Sequence, residues 1–192
     1  MPARSPPPRA RRRFGRDERF GVKVLCLAGW SGSGKTTLLT ALLPLLTARG
    51  LTVSTVKHTH HNVDLDRPGK DSYRHRAAGA HEVMVASSAR WALLRELDGP
   101  EPPLAELLTR MAPVDLVLVE GFKTSPFPKI EVYRPALGQP PLWPGRADII
   151  AVASDSALPD CDRPVLALHD PAAVADWVVH VRVNDRVAQP AA

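Results

Sequence analysis

The sequence predicts an α/β fold in three layers, a mostly parallel sheet flanked by helices, and three observations predict it. Short, nearly continuous apolar runs recur along the chain, as strands buried on both faces of a parallel sheet require. Helix-length segments with start or stop signals lie between them, and that alternation builds parallel sheets with right-handed crossovers. A glycine-rich turn, Gly29-Trp30-Ser31-Gly32-Ser33-Gly34-Lys35-Thr36, joins the first apolar run to the first helix and satisfies G-x-x-x-x-G-K-[ST].

The first 20 residues stand apart. Of the chain's 25 basic and 20 acidic residues, 7 arginines and 2 acids lie there, with Pro2, Pro6, Pro7 and Pro8 and no hydrophobic period. Such a segment buries too little apolar surface to offset its ordering entropy, so 1–20 reads as a disordered arm. The remainder holds 18 residues of each sign, so the formal net charge of +5 belongs to the arm and gives the folded part no nucleic-acid footprint. Asp17, Glu18 and Arg19 follow the arginine cluster where a twin-arginine export signal needs an apolar stretch.

Each element then follows in order. VKVLCLA (22–28) is the first strand, and 35–49 the first helix, kinked at Pro44 and stopped by Gly50. LTVSTVK (51–57) is the second strand. The polar stretch 58–71 is a long loop, after which the Ser72 hydroxyl caps a short helix toward Gly79. EVMVA (82–86) and WALLREL (91–97) are strands, the second also compatible with a helix, and 101–111 is a helix opened by prolines. VDLVLV (114–119) is the most apolar strand, and IEVYR (130–134), DIIAVA (148–153) and PVLAL (164–168) come after a proline-rich passage at 125–128. Asp170 as N-cap and Pro171 at the first helical position open the last helix, which runs through His180. The folded domain is therefore expected over 21–183, with a flexible tail at 184–192.

At 192 residues with 44% hydrophobic and 23% charged composition, one globular domain is the default. No apolar run reaches the 18 residues of a membrane span. Two cysteines make neither a disulfide framework nor a four-ligand zinc site, and a reducing cytoplasm is the simplest compartment. Cys26 reads as a small buried hydrophobe and Cys161 as a loop thiol.

In the glycine-rich turn, glycines let backbone amides point inward, the helix N-terminus adds partial positive charge, and phosphate oxygens are cradled between them. This P-loop places Lys35 to reach the β and γ phosphates and the Thr36 hydroxyl to bind Mg²⁺. The motif specifies a nucleoside triphosphate without specifying its base. A second carboxylate for magnesium normally ends a neighbouring buried strand, and Glu120 ends VDLVLV at the sheet edge where such folds bind ligands. Asp115, at the strand's start, lies on the wrong edge; Asp71 and Asp64 are alternative metal-side carboxylates.

The stretch 57–72 gathers His58, His60 and His61 with Lys57, Lys70 and several acids. Three readings stay open: a zinc or nickel site, a switch loop sensing the γ phosphate with Lys57 and Lys70 on phosphates and Asp71 assisting a metal-bound water, or a solvated loop. No N-K-x-D motif is present. Asp155, ending IAVAS, is at the correct edge to accept two donors of a nucleotide base, or it caps a turn before Leu158-Pro159.

Taken together, these residues resemble the MobB family, the molybdopterin-guanine dinucleotide biosynthesis accessory proteins. The resemblance rests on AGWSGSGKTTLL (28–39), VKHTHHNVDLDRPGKDSYRHRAAGA (56–80), VASSARWAL (85–93), DLVLVEGFK (115–123) and IAVASD (150–155). It implies a P-loop NTPase-like fold, binding of GTP with Mg²⁺, weak GTPase activity, a homodimer, and cooperation with MobA, the guanylyltransferase that joins GMP to molybdopterin. It further implies that Gly32, Ser33, Gly34, Lys35, Thr36 and Thr37, beside Gly29 and Ser31, hold the phosphates. Thr36 and Glu120 would lie on the magnesium side, the loop from His58 to Ser72 at the nucleotide and pterin site, Asp155 on both guanine donors, and Arg90 and Trp91 against the pterin or a second subunit unless Trp91 packs in the core. A small-molecule kinase, with Arg74 and Arg76 as lid arginines, and a metal-delivery GTPase are the competing functions.

Overall fold

The computed structural model describes residues 23–59 and 65–181, so the expected arm and tail, and His60, His61 and Asp64, lie outside the described residues. In chain order the elements are β1 (Lys23–Ala28), α1 (Lys35–Ala48), β2 (Val53–Lys57), α2 (Asp71–Ala77), β3 (Glu82–Ala86), β4 (Trp91–Arg95), α3 (Leu104–Thr109), β5 (Leu116–Glu120), β6 (Lys129–Tyr133), β7 (Ile149–Ser154), β8 (Val165–Ala167) and α4 (Pro171–His180). They divide into two compact units, one built from residues up to 58 and from 111 onward, the other from 59 to 110.

The first unit holds a six-stranded parallel sheet in the spatial order β2-β5-β1-β6-β7-β8. β1, β5 and β7 are buried along nearly their whole length. A strand at the centre of a parallel sheet is covered on both faces, which is why these three read as unbroken apolar runs. One face packs Leu25, Leu27, Leu118, Ile130 and Val132 against Leu38, Leu42 and Leu46 of α1 and Val174 and Val178 of α4. On the other, Trp143 packs with Ile149 and Val152, its ring edge-on to Tyr133 at 5.1 Å. The mostly parallel α/β fold with flanking helices is the one the sequence predicts. The edge strand β2 is only half-buried, and its Ser54 and Thr55 reflect that.

Local signals explain the boundaries. α1 continues through Pro44 and ends when Gly50 N–H donates to the Thr47 carbonyl and Leu51 N–H to that of Leu46, the paired bonds of a glycine-terminated helix. Asp170 caps α4 as expected, its carboxylate accepting from Ala173 N–H at 3.0 Å. Ser72 does not cap α2. Lys70 holds the cap position, and the Ser72 hydroxyl, inside the first turn, donates to Asp66 Oδ1 at 2.9 Å. Asp66 takes the hydroxyl because the helix begins at Asp71, two residues earlier than a cap at Ser72 implies.

In the second unit, β3 and β4 form an antiparallel ribbon with Met84 opposite Leu93 and Ala86 opposite Trp91. Trp91 is 67% exposed, so it is no core residue; it lies with Met84 and Leu93 on the ribbon's exposed face, whereas Val83 on the reverse face is buried. Arg76 joins α2 to the ribbon through Glu96 at 2.9 Å. Among the described residues no helix is long and apolar enough to cross a membrane.

Candidate functional site

The glycine-rich turn, Lys35, Thr36 and Glu120 lie together at the carboxyl edge of the six-stranded sheet. The chain leaves β1 at Gly29, whose φ is +140°, and a Cβ there would stand 2.4 Å from the Val132 carbonyl oxygen and 2.8 Å from Ser33 Oγ. Only glycine lets the loop lie this close to β6. The loop closes through Ser33 N–H donating to the Trp30 carbonyl, and α1 begins with Leu38 N–H donating to that of Gly34. Ser33 is buried inside the turn, with no hydrogen-bond partner for its hydroxyl among the described residues.

Lys35 reaches back over the loop and donates to the Gly29 carbonyl at 3.1 Å and the Trp30 carbonyl at 2.7 Å. Burial pushes its ammonium below the ordinary lysine value; Glu120 pulls it back up, and Lys123 and Lys57 add to the lowering. The Trp30 indole donates to the Pro140 carbonyl at 2.7 Å, and Lys123 Nζ stands 5.0 Å above the Trp30 ring.

Thr36 and Glu120 meet at this edge. Thr36 Oγ1 lies 2.8 Å and 2.9 Å from the two Glu120 carboxylate oxygens, and Lys57 Nζ is 3.5 Å from Oε1. A hydroxyl and a carboxylate are hard oxygen donors, the set that Mg²⁺ takes, so these side chains fit that ion. Asp115 lies at the opposite end of β5, where its Oδ2 accepts from the Thr52 amide and hydroxyl and pins the start of β2.

The turn after Glu120 is held tightly. Gly121 has φ +101°, and a Cβ on it would meet His58 Cβ at 2.7 Å; Phe122 follows at φ +48°, its ring 4.4 Å from that of His58. A bulky residue in the left-handed region costs on the order of 1–3 kcal/mol and persists only where its surroundings fix it. His58 N–H donating to the Glu120 carbonyl supplies one such restraint.

The buried Lys129 and the half-buried Arg146 supply others. Lys129, fully buried, donates to the Ser125 and Phe127 carbonyls and pairs with Asp148 at 2.8 Å, while Arg146 bonds both Asp148 and the Lys123 carbonyl. Burial alone would raise the Asp148 carboxyl, but hydrogen bonds from Arg146 and Lys129, with their charges, hold it down to about 2 from 3.8. A carboxyl depressed by folding stabilises above its unfolded value and loses that contribution as pH falls through its folded one. Stability is therefore expected to drop between about pH 4 and pH 2, and Asp148→Asn to flatten that part of a denaturation-versus-pH profile. An unaltered slope would contradict the assignment.

On the other side of β1 the neighbours are β6 and β7. Arg134 follows β6 and Asp155 follows β7, one step beyond the last paired residues, Tyr133 and Ser154. Glu131, buried in β6, accepts from the Leu142 and Trp143 amides and fixes the loop that carries Pro140. Burial pushes its carboxyl up against the opposing pull of those bonds and Arg146.

Thus Gly29, Ser31, Gly32, Ser33, Gly34, Lys35, Thr36, Lys57, His58, Glu120 and Asp155 all belong to the first unit, at or near this edge. Thr37 lies within the first turn of α1. Lys70 and Asp71 belong to the second unit, where Asp71 opens α2 and lies 3.7 Å from Arg74. Among the described residues no group of three or more His, Cys, Asp or Glu side chains is arranged to hold a metal, and His60 and His61 lie outside them. Cys26 is buried, which raises its thiol pKa; its Sγ is 3.8 Å from Ser125 Oγ, no setting for a nucleophile. Sequence reasoning missed Arg134, Glu131 and Lys129. A signal for Arg134 existed, since it ends a buried strand beside β1 as Glu120 does.

Comparison with known proteins places the chain in one family. The family model "MobB: Molybdopterin guanine dinucleotide synthesis protein B" matches residues 24–155, from β1 to Asp155. The molybdopterin-guanine dinucleotide biosynthesis adapter protein of Escherichia coli is 47% identical over 163 residues, covering 82% of this chain and 92% of that protein. The adapter protein of Haemophilus influenzae is 41% identical over 160 residues, covering 82% and 88%. The crystal structure of a MobB homolog from Bacillus stearothermophilus superposes with a TM-score of 0.61 at 27% identity, over 85% of this chain and 99% of that one. Because the matched stretch takes in the P-loop, Glu120 and Asp155 together, and whole-length relatives share two residues in five or more, the chain belongs to the MobB family.

Proposed function

We propose that this protein is a GTP-binding adapter in the biosynthesis of molybdopterin guanine dinucleotide, serving a MobA-type guanylyltransferase in the cytoplasm. The observation that carries the reading is the meeting of the Thr36 hydroxyl with the Glu120 carboxylate beside the P-loop, in a chain whose relatives are named as adapters of that synthesis.

Amides of the loop from Gly29 to Thr37 cradle the phosphates, and Lys35 exchanges the Gly29 and Trp30 carbonyls for phosphate oxygens. Thr36 and Glu120 would hold Mg²⁺, which would supply neutralising charge to the bound triphosphate. Lys57 and His58 sit at the end of β2 beside Glu120, while His60, His61, Lys70 and Asp71 are assigned to the nucleotide and pterin site on the family pattern. Binding is the main task, and hydrolysis is slow: Lys35 and the loop amides stabilise the charge that grows on the transferred phosphoryl group. The apolar ribbon face of Met84, Trp91 and Leu93 supports pairing with a second copy.

Asp155 reads guanine, its oxygens accepting N1–H and the 2-amino group. Asp155→Asn is therefore expected to weaken GTP by about 100-fold while XTP, whose 2-carbonyl accepts from an amide, becomes the tighter ligand. Competition binding with the two nucleotides checks this; undiminished GTP affinity would refute it. The adapter role is tested by reconstituting guanine dinucleotide formation from molybdopterin, GTP and the transferase, with and without this protein. Faster product formation that Lys35→Ala abolishes is expected, and identical rates in both arms would overturn the reading.

A further inference from the structure

Arg134 occupies a place that the phosphate and base assignments leave unexplained. It leaves β6 between the P-loop and Asp155, and its planar guanidinium engages both. Nε donates to the Ser33 carbonyl at 3.1 Å, Nη1 lies 3.4 Å from Asp155 Oδ2, and Nη2 stands 3.4 Å from where a Cβ on Gly34 would be. The side chain is 41% exposed, so one surface of the group faces outward from the protein.

The orientation of the loop decides what this residue does. A phosphate cradle turns its amides inward and its carbonyls outward. By holding an outward carbonyl, Arg134 grips the back of the loop; it is not one of the phosphate ligands. On its other side it holds one oxygen of Asp155, whose Oδ1 lies 3.2 Å from Ser156 Oγ. A carboxylate offers about four lone-pair sites, so these contacts still leave both oxygens able to accept from a base. Lysine, with a point ammonium in place of a rigid fork, spans the same two partners less well.

We infer that Arg134 is a positioning residue that locks Asp155 to the back of the P-loop, so that base recognition and phosphate binding share one rigid frame. The inference rests on the reading of Asp155 as the guanine contact. It makes this chain's preference for guanine depend on a side chain that touches the loop backbone and the carboxylate.

ITP is the informative probe, because inosine lacks the 2-amino group and the GTP-to-ITP ratio reports how firmly the carboxylate is held. In full-length protein with Mg²⁺, Arg134→Gln is expected to weaken GTP by about tenfold, the cost of one such contact, and ITP by much less. The GTP-to-ITP ratio should collapse toward one, and Arg134→Lys should recover part of it. Circular dichroism on the same samples confirms folding, and should Arg134→Gln fail to fold, the ratio measured in Arg134→Lys decides alone. Equal losses for GTP and ITP, or unchanged affinity for both, would overturn the inference. Asp155→Asn separates the two levels. If it moves preference from GTP to XTP while Arg134→Gln keeps the wild-type ratio, the lock fails and the base reading stands; if Asp155→Asn moves nothing, both fall.

Discussion

Lys35→Ala is expected to lower GTP affinity by about two orders of magnitude. The magnitude follows from the place of the ammonium, half-buried over the loop and within 3.1 Å of the Gly29 and Trp30 carbonyls. Shielded from bulk water, a single charge aimed at phosphate oxygens is worth far more than the same charge in solvent, and a hydrogen bond between charged groups contributes about 1.5–3 kcal/mol, at its upper end about two orders of magnitude in affinity. Fold stability should change little by comparison, because the loop backbone keeps its own closure through Ser33 and Trp30 and α1 keeps its first helical bond. Calorimetric titration with GTP, paired with a thermal melt, distinguishes the outcomes. Full retention of affinity would mean that the glycine-rich turn is not a phosphate site.

Glu120→Gln should act on the metal. The amide keeps the size of the side chain and can still accept from the Thr36 hydroxyl, so the contact between β5 and α1 survives. What is lost is the negative charge. Apparent Mg²⁺ affinity of the GTP complex is expected to fall by about 10- to 100-fold, the usual cost of losing a group that orients a metal or its waters. Loss of the pairing with exposed Lys57 adds little, since surface ion pairs contribute about 0–1 kcal/mol. Titrating Mg²⁺ at saturating GTP gives the number directly; an unchanged midpoint would remove Glu120 from the metal side.

Much of this was legible in the residues, for identifiable reasons. The buried strands announced themselves because a centre strand of a parallel sheet needs apolar residues on both faces, as VKVLCLA and VDLVLV have. The P-loop was legible because its glycines, lysine and threonine are required at fixed spacing, and Glu120 because a lone acid ending an apolar strand is costly without a task. Trp91 was misjudged in its core reading because an apolar run in a two-stranded ribbon has one covered face and one open face, and sequence does not say which. Ser72 was misjudged because Asp66, six residues earlier, takes its hydroxyl. Arg134 and Glu131 were hidden for a different reason: each acts on backbone groups of a remote loop, Ser33 for one and Leu142 with Trp143 for the other, and only the fold brings those partners near.

On the proposed reading the P-loop, framed by Glu120 at the end of β5 and Asp155 just after β7, binds a guanine nucleotide. The most direct test is calorimetric titration of the full chain with GTP and with ATP at saturating Mg²⁺. GTP is expected to bind at least about tenfold more tightly, as the two hydrogen bonds to Asp155 require, whereas ATP bound as tightly as GTP or more so would contradict guanine recognition.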